Sequence, residues 1–338
     1  MGAPNPDGPL TGSTAARAAR GTPRSRRRAA LAAAVRSGLS EQPKRLPPWL
    51  LYDALGSALF EAICQLPWYR ITRAELGLLA RHGPAIAARL GPRPGIVELG
   101  PGSGEKLATL IAALDPEQEA RVHLVDVSAA ALERARRTVM AAGPVEVTSV
   151  RATYERGLAR IPTGRRDRGC TLVAVLGSNL GNMEWREVEA FLRRIRAVLV
   201  PGDLLLVGLD LVKPEADLLA AYDDPLGVTA AFNRNLLLRL NTELSADFAL
   251  DRFAHRAVWN AAASRVEMHL VSLAAQEVRV TDSELEFRLE EGETIWTESS
   301  YKYGPDALRQ LVEPAGFLQR NLWIDDPARF ALTLFEAV

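Results

Sequence analysis

The sequence predicts an α/β fold of the doubly wound, Rossmann-like type, and three observations lead to this prediction. Short apolar runs alternate with helical segments from about residue 74 to residue 212. A glycine-rich turn joins the first apolar run to the helix that follows it. The alternation stops near residue 213 and returns from residue 301 to the C-terminus. Repeated strand–helix units of this length form parallel sheets with helices on both faces.

The elements of the first stretch follow from apolar periodicity and from capping residues. Ser128 is a typical N-cap ahead of an alanine-rich helical segment. Pro201-Gly202-Asp203 is a turn sequence between the last helix and the last strand. In chain order, the predicted elements are strand 95–99, helix 105–114, strand 122–125, helix 129–141, strand 145–150, strand 171–176, helix 187–200 and strand 204–209.

Residues 213–300 have a different character and are predicted to form an inserted α+β unit. Helical segments at 216–222 and 229–240 come first. Apolar and polar residues then alternate at 266–271 and at 285–290. This period of two indicates antiparallel strands with one face in solvent.

The chain then returns to the first unit, with a helix at 308–312 and strands at 317–324 and 330–335. The stretch before residue 74 has no strand–helix rhythm, and we place it with the inserted unit. The predicted domains are residues 74–212 with 301–338, and residues 29–73 with 213–300.

Composition and charge limit the classes of function. Lysine plus arginine and aspartate plus glutamate each number 41, so no net charge favours nucleic acid or an anionic membrane. No apolar run reaches the roughly 20 residues of a membrane span. Residues 1–28 hold six arginines and one aspartate among many small residues. We predict a disordered tail there, although an acid-poor, arginine-rich start also fits a transit peptide.

The cysteines and histidines show no metal-binding pattern. Cys64 and Cys170 lie far apart in the sequence, and the four histidines form neither HxH nor HExxH. Two unpaired cysteines are typical of a reduced compartment. We therefore predict a cytoplasmic protein without a metal site, acting as a monomer on a small molecule.

The strongest local motif is the segment from Glu98 to Lys106, Glu-Leu-Gly-Pro-Gly-Ser-Gly-Glu-Lys, at a strand-to-helix junction. Glycines there let the backbone turn sharply and approach a ligand closely. Asp126 ends the next strand, where a carboxylate accepts hydrogen bonds from ribose hydroxyls. The spacing is neither Gly-x-Gly-x-x-Gly nor that of a P-loop. Together these features fit S-adenosylmethionine or NAD; alternatively, the glycines only tighten a loop and Asp126 caps the following helix.

A second candidate site lies near residue 298. Glu298 is the only acid in Ile-Trp-Thr-Glu-Ser-Ser, a stretch that is otherwise apolar or hydroxylic. A carboxylate there accepts an imidazole N–H, and a neighbouring hydroxyl serves the second ring nitrogen. The same pattern also fits a surface strand residue. Each of the other candidates also has an interpretation without function: Asn182 as a turn residue, Tyr222 as an aromatic residue at a helix end and Met268 as a core residue of a strand.

Several segments together resemble the histidine-specific Nα-methyltransferase family, including its ergothioneine-pathway members, from about residue 31 to the C-terminus. Any one of them is weak, whereas the set is highly specific. They are Leu46-Pro47-Pro48, Leu51-Tyr52-Asp53, Gly56-Ser57, Leu59-Phe60-Glu61, Leu66-Pro67-Trp68-Tyr69, Thr72-Arg73, the run from Leu176 to Asn182, Asp210-Leu211-Val212-Lys213, Ala221-Tyr222-Asp223-Asp224, Phe232-Asn233 with Asn235, Val266-Glu267-Met268, and Thr297-Glu298-Ser299-Ser300 with Lys302.

The resemblance implies S-adenosylmethionine-dependent Nα-methylation of L-histidine, with the amino acid bound between two domains. It implies cofactor contacts from Gly100, Gly102, Lys106, Asp126, Thr153 and Tyr154. It implies that Tyr69, Asn182 and Tyr222 hold the amino-acid end of the substrate, that Glu298 and Ser300 read the imidazole, and that Gly177 and Met268 shape the pocket. Tyr52, Tyr69 and Asn182 are the expected catalytic residues, because they would orient the amine while water takes its proton.

The chain departs from the family pattern at one position of the cofactor site. Thr153-Tyr154 stands where members usually have an aspartate followed by an aromatic residue that serves adenine. Two other functions therefore stay open at this stage: N-methylation of another amino acid, such as a tryptophan derivative, and cofactor binding without catalysis. An NAD oxidoreductase is disfavoured by the glycine spacing.

Overall fold

The computed structural model describes residues 23–161, 169–304 and 306–338. In these ranges the helices are α1 Pro23–Leu39, α2 Ala54–Gln65, α3 Ile71–Ala87, α4 Glu105–Ile111, α5 Ala129–Ala142, α6 Tyr154–Leu158, α7 Trp185–Val198, α8 Glu215–Tyr222, α9 Val228–Leu244 and α10 Ala307–Val312. The strands are β1 Gly95–Leu99, β2 Arg121–Asp126, β3 Glu146–Arg151, β4 Thr171–Val175, β5 Leu204–Asp210, β6 Phe253–Asn260, β7 Arg265–Ser272, β8 Gln276–Val280, β9 Leu285–Leu289, β10 Thr294–Tyr301, β11 Phe317–Asp325 and β12 Phe330–Ala337. Short 3₁₀ helices lie at Pro48–Leu51, Asn179–Asn182, Leu250–Arg252, Thr281–Ser283 and Glu313–Ala315.

The main sheet has seven strands in the order β11-β12-β5-β4-β1-β2-β3. Strands β1 to β5 pair in parallel, as predicted, whereas β12 pairs antiparallel with both β5 and β11. The short turn between β11 and β12 explains this antiparallel edge, because a parallel pair needs a long crossover. The strand order reverses between β4 and β1. In open α/β sheets, ligands bind at such a point, beyond the carboxyl ends of the strands.

Alternate side chains of the central strands pack on opposite faces of this sheet, which confirms the doubly wound prediction. Ile96 belongs to one apolar cluster, with residues of α3, α4 and α5, and Val97 belongs to a second cluster, with residues of α7 and α10. Strands covered on both faces read as continuous apolar runs, and β5 is buried at every position. The apolar periodicity of the sequence is thus explained by helices on both sides.

A second group of elements packs beside the sheet. Strands β10, β7 and β6 form an antiparallel sheet in that order, and β8 pairs with β9. Helix α9 packs on β6 and β7, and α2 packs on α9. The alternation predicted at 266–271 is confirmed, because burial alternates along β7. Leu270 lies in the same apolar cluster as Ile96, so this group shares a continuous core with the main sheet.

Two predicted boundaries change with the structure. Residues 23–28 are not part of a disordered tail, because α1 begins at Pro23 and Arg28 pairs with Asp282. Arginine is a good helix former, and proline is favoured in the first helical turn. Residues 1–22 lie outside the described part of the chain. The predicted boundary after residue 73 falls inside the first turn of α3, so the proposed division into two domains moves to just before Ile71. Within the described ranges, the helices are too short or too polar to cross a bilayer.

Candidate active site

The glycine-rich turn between β1 and α4 has the backbone of a close-approach loop. Gly100, Gly102 and Gly104 have φ of 78°, 55° and 82°. A Cβ on Gly104 would lie 2.7 Å from the Cα of Ala135, and a Cβ on Gly100 would lie 2.5 Å from the hydroxyl of Tyr154. Side chains are therefore excluded here by both backbone conformation and space. The turn lies at the reversal of strand order, where a ligand is expected.

Lys106, at the start of α4, is held by a buried carboxylate that sequence reasoning missed. Its Nζ lies 2.8 Å from Oε2 of Glu75, whose side chain is fully buried. Burial alone would lower the pKa of the Lys106 ammonium, but the Glu75 carboxylate more than offsets this and raises the pKa above its usual value. Both Glu75 oxygens also accept the backbone N–H of Gly177, at 3.0 and 2.8 Å. Glu75 therefore joins the predicted cofactor and substrate sides of the site.

Asp126 and Glu98 place two carboxyl groups at neighbouring strand ends. Oδ1 of Asp126 accepts the N–H of Ser128 at 2.7 Å. The N-cap of α5 is Ser128 itself, as predicted, because its hydroxyl oxygen accepts the N–H of Ala131 at 3.3 Å. Burial raises the pKa of Asp126, against the effect of the Ser128 N–H. Burial raises the pKa of Glu98 to about 8, and the nearby Lys106 opposes this rise. Within the described ranges, Oε2 of Glu98 is buried without a hydrogen-bond partner, which is unusual for a polar group outside a functional site.

Thr153 and Tyr154 follow β3 at the next strand end. Thr153 is exposed and is the N-cap residue of α6, without a capping hydrogen bond from its side chain. Tyr154 packs against Phe191 with ring centroids 5.8 Å apart. Burial raises the pKa of the Tyr154 phenol, and the nearby Asp126 carboxylate raises it further. Because β2 and β3 follow β1 in the order of the main sheet, Thr153 and Tyr154 lie on the same side of the glycine turn as Asp126.

A pocket next to this turn collects every predicted catalytic and substrate-binding residue. It encloses about 460 Å³ of space, part of it open to solvent. The predicted residues that line it are Tyr52, Tyr69, Gly177, Asn182, Tyr222, Met268, Glu298 and Ser300. They come from six separate segments of the chain, so sequence distance gave no indication of their proximity.

Strand β10 supplies the polar end of the pocket. Glu298 pairs with Met268 of β7, and a β-bulge lies between Trp296 and Glu298. Because side chains alternate along a strand, Glu298 and Ser300 point to the same face. Glu298 is buried, which raises the pKa of its carboxyl to about 7, although the Lys302 ammonium acts in the opposite direction. The interpretation of Glu298 as a surface strand residue is therefore wrong.

Aromatic rings form another part of the pocket wall. Tyr52 makes edge contacts with Phe60 and Phe232, each at 5.6 Å between centroids. Tyr69 and Tyr222 lie 6.3 Å apart in a similar arrangement. Burial is the main cause that raises the pKa of Tyr52 and of Tyr69 well above the usual value. The second cause is the nearby Glu298 for Tyr52 and the nearby Tyr222 for Tyr69. Both phenols therefore keep their protons and can donate hydrogen bonds.

Other pocket residues were not among the predicted site residues. They are Phe60, Ile63, Ser178, Asn179, Ala221, Thr229 and Phe232. Five of them lie within the segments that resemble the methyltransferase family, which is the signal by which they could have been found: Phe60, Ser178, Asn179, Ala221 and Phe232. Thr229 carries no such signal, because a threonine near the start of a helix is ordinary.

Comparison with known proteins agrees with this geometry. The family model described as "Histidine-specific methyltransferase, SAM-dependent" matches residues 31–337. Histidine N-alpha-methyltransferase of Mycolicibacterium smegmatis is 43% identical over 303 residues, covering 89% of this chain and 92% of that protein. Ergothioneine biosynthesis protein 1 of Neurospora crassa is 29% identical over 287 residues, covering 83% of this chain and 32% of that protein. The 4-dimethylallyltryptophan N-methyltransferase of Claviceps purpurea is 25% identical over 317 residues, covering 87% of this chain and 91% of that protein.

The family match extends from α1 to the last residues of β12, and it includes both the glycine turn and the pocket. It agrees with the fold, since the main sheet is of the doubly wound type that binds nucleotide-like cofactors at its strand ends. The chain therefore belongs to the family of histidine-specific, S-adenosylmethionine-dependent methyltransferases.

Proposed function

We propose that this enzyme transfers methyl groups from S-adenosylmethionine to the α-amino nitrogen of L-histidine, ending at the trimethylated betaine hercynine, in ergothioneine biosynthesis. The observation that carries the proposal is the pairing of Glu298 and Ser300 on one face of β10, at the buried end of the pocket. A carboxylate and a hydroxyl at this spacing match the two nitrogens of an imidazole. The histidine N-alpha-methyltransferase relative supports the same substrate.

The residues at the ends of β1, β2 and β3 fit S-adenosylmethionine. The unpartnered Oε2 of Glu98 and the carboxylate of Asp126 suit a ligand that carries cationic and hydroxyl groups. We propose that Gly100, Gly102 and Lys106 hold its methionine part, that Asp126 binds its ribose, and that Thr153 and Tyr154 contact its adenine. When bound, the cofactor supplies an electrophilic methyl group on a sulfonium.

The pocket residues prepare the amine for attack by positioning it. An ammonium has no lone pair, so the α-amino group has to be neutral and in line with the methyl group. Tyr52 and Tyr69 retain their protons, because their pKa values are raised by burial; they therefore orient the amine as hydrogen-bond partners, together with Asn182, rather than act as bases. We propose that water takes the amine proton. Positioning of this kind is worth on the order of 7–11 kcal/mol of barrier.

Successive methylation requires a pocket that accepts a growing cation. The rings of Tyr52, Phe60 and Tyr69 line the pocket, and aromatic faces attract quaternary ammonium groups. Attraction between a ring face and a cation needs no N–H, so it persists when the nitrogen carries a third methyl group, which supports transfer up to the trimethylated product.

Mass spectrometry of the products tests the function. The purified enzyme is incubated with S-adenosylmethionine and a panel of L-histidine, L-tryptophan, 4-dimethylallyltryptophan and L-phenylalanine, and mono-, di- and trimethylated products are quantified. We expect trimethylated histidine to dominate. If histidine stays unmodified while a tryptophan derivative is methylated, the substrate is the second candidate, which the Claviceps purpurea relative supports.

Two further properties complete the proposal. We propose that the enzyme acts as a monomer in the cytoplasm, since a chain of this length with two cysteines, Cys64 and Cys170, is not built on the disulfide framework typical of secreted proteins. Size-exclusion chromatography with light scattering checks the oligomeric state, and a dimer mass at assay concentrations would contradict it.

A further inference from the structure

A buried lysine lies directly behind the substrate pocket, and the reaction proposed above does not use it. Lys302 follows β10, and its side chain is completely buried. Burial alone would lower the pKa of its ammonium, but the Asp210 carboxylate outweighs this effect and raises the pKa above its usual value. The group therefore stays charged, and a buried charge is expensive unless each of its polar bonds is made.

Every N–H of this ammonium has a partner. Nζ donates to the hydroxyl oxygen of Tyr222 at 2.8 Å and to Oγ of Ser300 at 2.8 Å, and it lies 3.0 Å from Oδ2 of Asp210. An ammonium has three donors and no acceptor. Lys302 consequently has no hydrogen left for a ligand. It acts on the substrate through the two hydroxyls that it contacts and through its charge, which favours the ionised form of Glu298.

The two hydroxyl groups are also bonded to each other. The oxygens of Tyr222 and Ser300 lie 2.8 Å apart, at the pocket surface. Each hydroxyl has one hydrogen, so one of the two hydrogens lies in their mutual bond and the other is free. Because the Lys302 ammonium occupies a lone pair on both oxygens, the free hydrogen points away from the ammonium and toward the pocket.

We propose that Lys302 is a positioning residue for substrate recognition, which acts through Tyr222 and Ser300 and makes them present one hydroxyl hydrogen to the bound amino acid. This inference rests on the proposed function, since it deepens the account of the same pocket. It also implies that Tyr222 and Ser300 act as one unit. Without the ammonium, the free hydroxyl hydrogen would no longer be kept out of the space that Lys302 occupies, and it would rotate toward that space.

Lys213 offers a matched control. It binds the other oxygen of the same carboxylate, with Nζ 2.6 Å from Oδ1 of Asp210, and it donates to the carbonyl of Ala328. It does not line the substrate pocket. Replacing Lys213 therefore removes a cation from Asp210 without removing a donor from the two hydroxyls.

The test is calorimetric titration of L-histidine into enzyme saturated with S-adenosylhomocysteine, the demethylated cofactor product. Lys302→Met should weaken histidine binding by at least about tenfold, since it removes charge-assisted hydrogen bonds. Lys213→Met should weaken it by less than about threefold, because Asp210 keeps its contact with Lys302 and neither pocket hydroxyl loses a donor. The affinity for S-adenosylhomocysteine should not change in either variant, and this affinity reports folding.

A mutant cycle separates positioning from general structural loss. In the Tyr222→Phe/Ser300→Ala background, Lys302→Arg should have little further effect on histidine binding, because the cation that favours ionised Glu298 is kept and no hydroxyl is left to act through. If Lys302→Met fails to bind S-adenosylhomocysteine, Lys302→Arg carries the test; it keeps the charge but moves the donors, and should also weaken histidine binding selectively.

Three outcomes would overturn the inference: unchanged histidine affinity in Lys302→Met or Lys302→Arg, an equal loss in Lys213→Met, or the same loss in the double-variant background. Failure of the proposed function looks different, because the unmodified enzyme would then show no histidine binding at all.

Discussion

To accept a hydrogen bond from the substrate as a carboxylate, Glu298 has to be ionised, whereas burial of its side chain favours the neutral carboxylic acid. Burial raises the pKa of its carboxyl to about 7, whereas Lys302 favours the charged form. A neutral imidazole offers one N–H, and its bond to the carboxylate replaces lost solvation. The residue is therefore suited to select a ligand with an N–H donor at this position.

Replacing Glu298 should change the choice of substrate. In Glu298→Ala, kcat/KM for histidine should fall by roughly 10–100-fold, because a charge-assisted hydrogen bond is lost. Phenylalanine, which has no ring N–H, should be affected much less, and the affinity for S-adenosylmethionine should stay constant. Ser299→Ala is the matched control, since its side chain alternates to the other face of β10. Unchanged histidine turnover in Glu298→Ala would remove Glu298 from the recognition site.

The same carboxyl should make stability depend on pH. Its folded-state pKa is raised from 4.5 to about 7, so its contribution to stability is fully present below about pH 4.5 and is lost as the pH rises through 7. Relative to the unmodified protein, Glu298→Gln should therefore gain stability by roughly 2–3 kcal/mol between pH 5 and pH 8. Urea unfolding of the unliganded proteins measures this, with the exposed Glu277→Gln as control. A difference that does not vary with pH would contradict the raised pKa.

Asp126 tests the cofactor side. Its carboxylate already accepts the N–H of Ser128, so Asp126→Asn preserves that hydrogen bond through its amide oxygen, whereas Asp126→Ala removes it. Loss of a charge-assisted ribose contact should weaken S-adenosylmethionine binding by about 1.5–3 kcal/mol in both variants. Equal unfolding midpoints for Asp126→Asn and the unmodified protein would show that the loss is in binding. If Asp126→Asn binds the cofactor normally, Asp126 serves only to hold the N–H of Ser128.

At the scale of elements, β5 has an unusual interior glycine. Gly208 lies in a strand buried along its whole length, and a Cβ there would lie 1.7 Å from Oε1 of Glu75. Glycine weakens a strand and typically marks a close approach. The missing side chain makes room for the Glu75 carboxylate, which in turn fixes Lys106 and Gly177.

Gly208→Ala should therefore destabilise the protein by about 1–3 kcal/mol, because overpacking displaces a buried, fully used carboxylate. It should also weaken S-adenosylmethionine binding, since Lys106 loses its fixed partner. Gly77→Ala is the control: this glycine lies in α3 with open space at its Cβ position, and the change should stabilise by roughly 0.5–1 kcal/mol. Urea unfolding and cofactor titration measure both effects. An unfolding midpoint of Gly208→Ala equal to that of the unmodified protein would show that Glu75 moves without cost.

The bulge in β10 explains why this strand was not predicted. The last five residues of β10 are buried in succession, so the strand does not show the period of two that marks a half-solvated strand. Thr297, at the bulge, donates its hydroxyl hydrogen to the carbonyl of Met268 at 3.0 Å. Bulges commonly re-aim side chains next to active sites, and this one directs Glu298 into the pocket.

At the scale of the whole molecule, the reversal of strand order in the main sheet and the antiparallel group with α9 together enclose the site. The pocket residues begin at Tyr52 in the chain. Deleting residues 1–22 should leave kcat/KM within about twofold, because this segment has the composition of a solvated tail. Deleting residues 1–28 also removes Arg28, which pairs with Asp282, and should lower the melting temperature. A large loss of activity in the shorter deletion would show that the first 22 residues contribute to the site.

The sequence by itself determined the elements whose cause is local. Apolar periodicity predicted β1 to β5 and the helices α4, α5 and α7, because the central strands β1, β4 and β5 are buried between helices on both faces. Helix α6 was not predicted. The glycine turn and Asp126 were readable because cofactor loops follow strand ends. The pocket residues were found through segments that resemble a known family, and the structure brings those residues together.

Only the tertiary structure decided which side chains are buried against distant partners. Glu75, Gly208 and Lys302 carry no local signal, since an acid in a helix, a glycine in a strand and a lysine after a strand are all common. Their importance comes from contacts across 102 positions for Glu75 with Gly177 and 80 positions for Lys302 with Tyr222. A single sequence contains periodicity along the chain, whereas burial and pairing of charges depend on how the chain folds back on itself.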